Sequence, residues 1–105
     1  MDFWSQVRAL EGKSLRTLDR HKLFEVVTVA DTQVVLKVST GKIRPVRREE
    51  IEGAFRELAL TGEISRSDIR ERHSDWNPAY VAAILAELAG VTCRVRPIRL
   101  FYRSE

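Results

Sequence analysis

The stretch that decides the fold is residues 33–58, QVVLKVSTGKIRPVRREEIEGAFREL. Its first half alternates. Val34, Leu36 and Val38 share one side of an extended chain, with Val35 and Lys37 on the other, which predicts a strand over residues 33–38. Ser39-Thr40-Gly41-Lys42 predicts a tight turn, because glycine adopts the positive φ that such a turn needs. Residues 43–46 predict a short edge strand, since Pro45 has no N–H to give to a ladder. At Arg47 the period lengthens. Ile51, Ala54, Phe55 and Leu58 recur at helical spacing, so residues 48–60 predict an amphipathic helix. Glu49, Glu50 and Glu52 sit in or beside its first turn, where the helix dipole favours negative charge and where they offset the neighbouring arginines.

Toward the N-terminus, Asp2 predicts the cap of a short helix carrying Phe3, Val7 and Leu10, ended by Gly12. Residues 15–18 and 23–30 predict strands, the second rich in Phe and Val, with Asp31-Thr32 as a hairpin tip. Toward the C-terminus, Gly62 stops the helix and Ser65 caps a second one over residues 66–72, with Asp68 at its third position. Residues 73–77 predict a turn. Asn77-Pro78 then starts a third helix that Gly90 ends after Ala89. Residues 93–102 predict a last strand, with a three-residue inward step at Pro97 that suggests a bulge. The expected fold class is therefore α+β: one domain over residues 1–105, with an N-terminal helix and antiparallel β-meander in 1–46 and a three-helix unit with a C-terminal strand in 47–105.

The 105 residues are enough for one hydrophobic core. At 44% hydrophobic and 31% charged the chain falls in the ordinary globular class. Cys93 is the single cysteine, so no intrachain disulfide forms, and in its apolar surroundings it predicts a small core residue. No basic and apolar leader is visible at the N-terminus. The longest largely apolar run, residues 79–88, would span about 15 Å as a helix, half of a bilayer core. The expected location is cytoplasmic, with no membrane.

Catalytic and cofactor chemistry find little support. Gly12-Lys13-Ser14 and Thr40-Gly41-Lys42 lack the upstream glycine of a phosphate loop, since Val7 and Leu36 occupy that position. His21 and His73 have no second His or Cys at metal-ligand spacing, and both read as solvated surface residues. Ser65, Ser67 and Asp68 are better explained by capping than by a nucleophile. No catalytic residue, metal ligand or cofactor is expected, and a non-enzymatic module is.

Charge placement says more. The net charge is +3, and the basic density concentrates at Lys42, Arg44, Arg47 and Arg48 and again at Arg94, Arg96, Arg99 and Arg103. Between them, residues 54–90 carry four Lys/Arg against six Asp/Glu. Three helices joined by short turns and followed by an extended segment at residues 91–102 resemble winged-helix domains, a superfamily of helix-turn-helix type. The likeness covers residues 47–102 and rests on topology and caps. It implies a nucleic-acid partner, DNA ahead of RNA, with the third helix set in the major groove. The chain departs from that pattern. The third helix carries no Arg, Lys, Asn or Gln to read base edges. Binding would then be electrostatic, through the eight basic residues named above. The alternative is a protein-interaction domain or homodimer, in which Tyr80, Ala83 and Glu87 outside the Val81/Ile84/Leu85/Leu88 stripe form the interface. A third reading is an accessory domain of a larger enzyme. Trp76, in the turn before the third helix, is expected to plug the core rather than to stack on bases.

Overall fold

The computed structural model describes residues 2–104 and is α+β, with four helices and two antiparallel sheets. Asp2 caps α1 (Phe3–Arg8), its carboxylate accepting from the Ser5 N–H at 2.8 Å. Trp4, Val7 and Leu10 turn inward. Trp4 Nε1 also donates to the Ala30 carbonyl at 3.2 Å, which ties α1 to the end of a strand. The meander comprises β1 (Ser14–Arg16), β2 (Leu23–Val29), β3 (Gln33–Lys37) and β4 (Ile43–Arg47), paired in that order with β4 at an edge. Pro45 lies opposite Val35 on this edge strand, where its missing N–H costs no ladder bond on the open side.

α2 (Arg48–Thr61) follows β4 directly and buries Ile51, Ala54 and Leu58. Phe55 stacks on Phe3 at 4.6 Å and meets Tyr102 edge-on at 5.5 Å, so one aromatic row joins α1, α2 and the last strand. Gly62 ends α2 at φ 88. Then come β5 (Glu63–Ser65), α3 (Arg66–Arg72), α4 (Pro78–Leu85), β6 (Val91–Arg94) and β7 (Arg99–Tyr102). Ser65 and Asp68 form a reciprocal capping box at the start of α3, with both hydrogen bonds at 3.0 Å. The second sheet has the order β5-β7-β6. Phe24, Leu36 and Val46 of the meander share one core cluster with Ile51, Leu58, Ile69, Leu85 and Leu100.

Four local expectations need correction. Residues 93–102 are not one strand with a bulge but a hairpin, β6 and β7 reversing through Val95-Arg96-Pro97-Ile98. Proline cannot continue a ladder, and the three-residue inward step marks chain reversal. The bulge lies instead in β2. The register with β3 slips between Val26 and Thr28, and Val27 is the extra residue. β5 was not anticipated. It has three residues and only Ile64 faces inward, too little for any periodicity to register. α4 ends at Leu85 rather than Ala89, although Leu88 stays buried in the turn that follows.

α4 also settles the fate of its alanine face. It packs against α2, α3 and β1, and Val81, Ala82, Ala83, Ile84 and Leu85 are all buried. Ala83 is only 2% exposed, so it offers no surface to a partner. Tyr80 is half-buried, its ring meeting Phe24 edge-on at 5.1 Å, and Glu87 is exposed beyond the helix. A helix apolar all round is buried, and here α2, α3 and the β1 end of the meander together cover it. Among the described residues no helix is long and apolar enough to cross a membrane.

Candidate functional site

The turn between α3 and α4, residues 73–77, is built on a buried carboxylate. Glu50, in the first turn of α2, is 7% exposed, and both of its oxygens are used. Oε1 accepts from Ser74 Oγ at 2.5 Å and from Asn77 Nδ2 at 3.4 Å, while Oε2 accepts from the Arg47 N–H at 2.7 Å. Ser74 and Asn77 are themselves 2% and 6% exposed. A charge withdrawn from water is tolerable only when hydrogen-bonded this fully. The sequence pattern placed Glu50 among helix-dipole glutamates and did not reveal this second role.

Two further contacts fix the turn. Arg44 Nη1 donates to the Trp76 carbonyl at 3.2 Å and to Asn77 Oδ1 at 3.3 Å. On the α3 side, His73 Nε2 and Glu57 Oε1 are 2.8 Å apart, and Arg72 Nε donates to the same oxygen at 2.9 Å. The Arg72 guanidinium, opposed by burial and assisted by His73, holds the Glu57 carboxyl below its ordinary range. His73 is thus an anchored, half-buried residue and not the solvated one expected. α2 admits its ring because position 53 is glycine. A Cβ there would lie 2.9 Å from His73 Nδ1.

From this fixed turn Trp76 projects into solvent, 82% exposed, and the expectation of a core plug is overturned. The string Ser74-Asp75-Trp76-Asn77-Pro78 carries the only available signal, because turn-forming polar residues on both sides leave Trp76 no apolar neighbour in sequence. Trp76, Arg44, Arg47 and Gln33 line an open cleft of about 550 Å³, with Asp75 at its rim. The Arg44 guanidinium also lies over the Tyr80 ring, 5.5 Å from its centroid. Tyr80 in turn lines a second cleft, of about 290 Å³, together with Arg20, Lys22, Arg66 and Ile98, with Asp19 nearby. Arg20, Lys22 and Arg66 stood in no basic cluster of the sequence. Distant segments bring them together.

The eight basic residues singled out by sequence are dispersed. Arg44 and Arg47 meet at the Trp76 cleft. Arg48 turns away. It lies over the Trp4 ring at 4.5 Å, donates to the Asp31 carbonyl at 3.1 Å and pairs with Glu52 at 3.6 Å. Lys42 is exposed in the turn before β4. Arg94 and Arg99 face each other across the β6–β7 ladder, Arg94 over the Phe101 ring and Arg99 paired with Glu63 at 3.4 Å. Arg96 is exposed in the hairpin turn and Arg103 just past β7. Cys93 is exposed on β6 rather than buried. Among the described residues no group of three or more His, Cys, Asp and Glu is placed to hold a metal ion.

No protein-family model, curated protein or solved structure matches this chain.

Proposed function

We propose that this domain binds nucleic acid, chiefly by phosphate contacts and with little sequence preference. The observation that carries this reading is the convergence of Arg20, Lys22 and Arg66 on one cleft beside the Ile98 end of the hairpin. Three cations gathered from two distant segments, with one carboxylate among them, suit a polyanion better than they suit one another. Arg94 and Arg96 are exposed on the hairpin whose turn ends at Ile98, and the Arg44 guanidinium lies over Tyr80, which lines the same cleft. The succession α2-β5-α3-α4-hairpin, with β5 paired to β7, supports the winged-helix resemblance. The burial of α4 argues against the third helix entering a major groove, so phosphates rather than base edges are the targets.

A protein partner held through α4 finds Ala83 and its neighbours internal, which leaves only half-buried Tyr80, and Glu87 past the helix end, at the surface. Leu23, Val27 and Ile43 are exposed on the outer face of the meander, but the Glu25–Lys37 pair sits among them. That arrangement is scattered rather than a patch.

Affinity for a mixed-sequence oligonucleotide, measured by anisotropy across a salt series, tests the proposal. Neutralising about four phosphates predicts a slope of log K against log salt of roughly −3 to −4. The double variant Arg20→Ala, Arg66→Ala should weaken binding to all sequences alike. Absence of binding at the lowest salt refutes the proposal.

A further inference from the structure

Burying an indole is among the larger single gains open to a folding chain, and the turn at residues 73–77 forgoes it. The omission is not a matter of looseness. Ser74 and Asn77, two and one residues away, are buried and hydrogen-bonded to Glu50, and the Trp76 carbonyl is held by Arg44. A rigid mount, made at the expense of burying a carboxylate, therefore presents a large flat aromatic ring to solvent. Beside that ring stand two guanidinium groups, Arg44 and Arg47, and the Gln33 side chain, which lies opposite Arg47 across the β3–β4 ladder.

We propose that the Trp76 cleft takes an unpaired base of a single-stranded nucleic acid. The indole face stacks on the base, Arg44 and Arg47 receive the flanking phosphates, and the Gln33 amide, donor and acceptor at once, meets the base edge. This rests on the nucleic-acid reading above and narrows it to a strand with exposed bases. In a duplex each base face is already covered by its neighbours, so a projecting indole has nothing to stack on except at an end. A splayed strand offers a free π-face and a phosphate within a guanidinium's reach of it. Two carboxylates line the cleft, Asp75, exposed at the rim, and the buried Glu50, whose Oε2 lies 3.8 Å from Arg47 Nε and offsets part of that guanidinium's charge. The Glu50 carboxylate is already taken up by three hydrogen-bond donors. The backbone of the strand must then run on the Arg44–Arg47 side, and Asp75→Asn should tighten binding.

The experiment titrates the intact chain with labelled oligothymidine and with a long linear DNA duplex, whose base faces are covered everywhere but at its two ends, following anisotropy and intrinsic tryptophan emission and comparing affinities per phosphate. Trp4 is buried beneath Arg48, so quenching on binding reports Trp76. Quenching by oligothymidine is expected. Trp76→Ala should lower its affinity roughly 5- to 150-fold, the loss of one stacked base, and Trp76→Phe should restore most of it. Duplex affinity should stay unchanged in all three proteins. Trp76 lies outside the core, and matching thermal melts verify that each variant folds. If both DNAs bind but Trp76→Ala leaves oligothymidine affinity as it was, the stacking site is refuted while the phosphate-binding reading stands. If neither binds at low salt, both fall.

Discussion

Replacing Glu50 by Ala removes the group on which the turn at residues 73–77 is built. Two donors lose a charged acceptor outright, the Ser74 hydroxyl and the Arg47 N–H. Asn77 Nδ2 loses its longer contact as well, at 3.4 Å, while Asn77 Oδ1 still accepts from Arg44, so the two short bonds carry most of the loss. Hydrogen bonds to a charged partner contribute about 1.5–3 kcal/mol each, so the gross loss is about 3–6 kcal/mol. Two effects offset part of it. Alanine is the better helix former by a few tenths of a kcal/mol, and the cost of desolvating the carboxylate disappears. A net loss of about 2–4 kcal/mol is expected. With a urea m-value of about 2 kcal/mol/M, the middle of the range for small domains, the midpoint should fall by about 1–2 M. Urea unfolding followed by far-UV circular dichroism, with the m-value unchanged, is the assay. A loss below about 1 kcal/mol would refute the reasoning, because it would mean that desolvation had cancelled the hydrogen bonds and that the network shapes the turn without stabilising it.

Leu85→Ala should destabilise by about 2–5 kcal/mol in the same assay, since Leu85 is fully buried among α2, α3 and the meander. Ala83→Arg should abolish folding, read as loss of a cooperative melt. A folded variant that becomes monomeric from a wild-type dimer would instead restore the interface that burial closes off. Glu57, Asp68, Asp2 and Glu11 all have carboxyls held below their ordinary range, by Arg72 for Glu57 and by the backbone N–H groups of Ser65, Ser5 and Val29 for the others. Groups depressed in the folded state contribute stability above their unfolded pKa, and that contribution is lost as pH falls through the folded values. Melting temperature should therefore hold near neutral pH and fall below about pH 4, and Glu57→Gln should make the acid limb shallower. An acid limb as steep in the variant as in the wild type would contradict the assignment of Glu57.

Much of the architecture is legible in the residues because burial is periodic. Val34 and Leu36 alternate, Ile51, Ala54 and Leu58 recur at helical spacing, and Gly41 and Gly62 punctuate them. Where structure depends on partners distant in sequence, legibility ends. β5 exists because β7 returns to pair with it, and nothing in Glu63-Ile64-Ser65 announces that. The composition of α4 says that it is apolar all round but not that α2, α3 and β1, rather than another molecule, cover it. The candidate site was harder still. Clusters of arginine in sequence proved a poor guide, since Arg48 turns away from Arg44 and Arg47 on leaving β4, and Arg20, Lys22 and Arg66 converge only in space. Glu50 has the same residue type as its exposed neighbour Glu49 and stands one position further along the first turn of α2, where its side chain reaches back to the Arg47 N–H. The approach of Ser74 and Asn77, from beyond α3, is what buries Glu50.

The pairing of β5 with β7 bears on the order in which the chain assembles. Each hairpin of the meander closes over a short connection, and so does the β6–β7 hairpin. The β5–β7 ladder, Glu63 to Phe101 through Ser65 to Arg99, cannot form until α3, α4 and β6 have all been brought round. The entropy of closing that long loop is spent before any of the ladder's contacts repay it. The small sheet should therefore be absent from the folding transition state while the meander is partly formed within it. Ile64→Val should chiefly speed unfolding, with a φ-value near 0, and Leu36→Ala should slow folding. A φ-value near 1 at Ile64 in stopped-flow measurements would reverse that order. On this sequence of events the hairpin that carries Arg94, Arg96 and Arg99 becomes anchored to the body of the domain last, so a nascent or partly unfolded chain holds its basic surface in two unconnected halves.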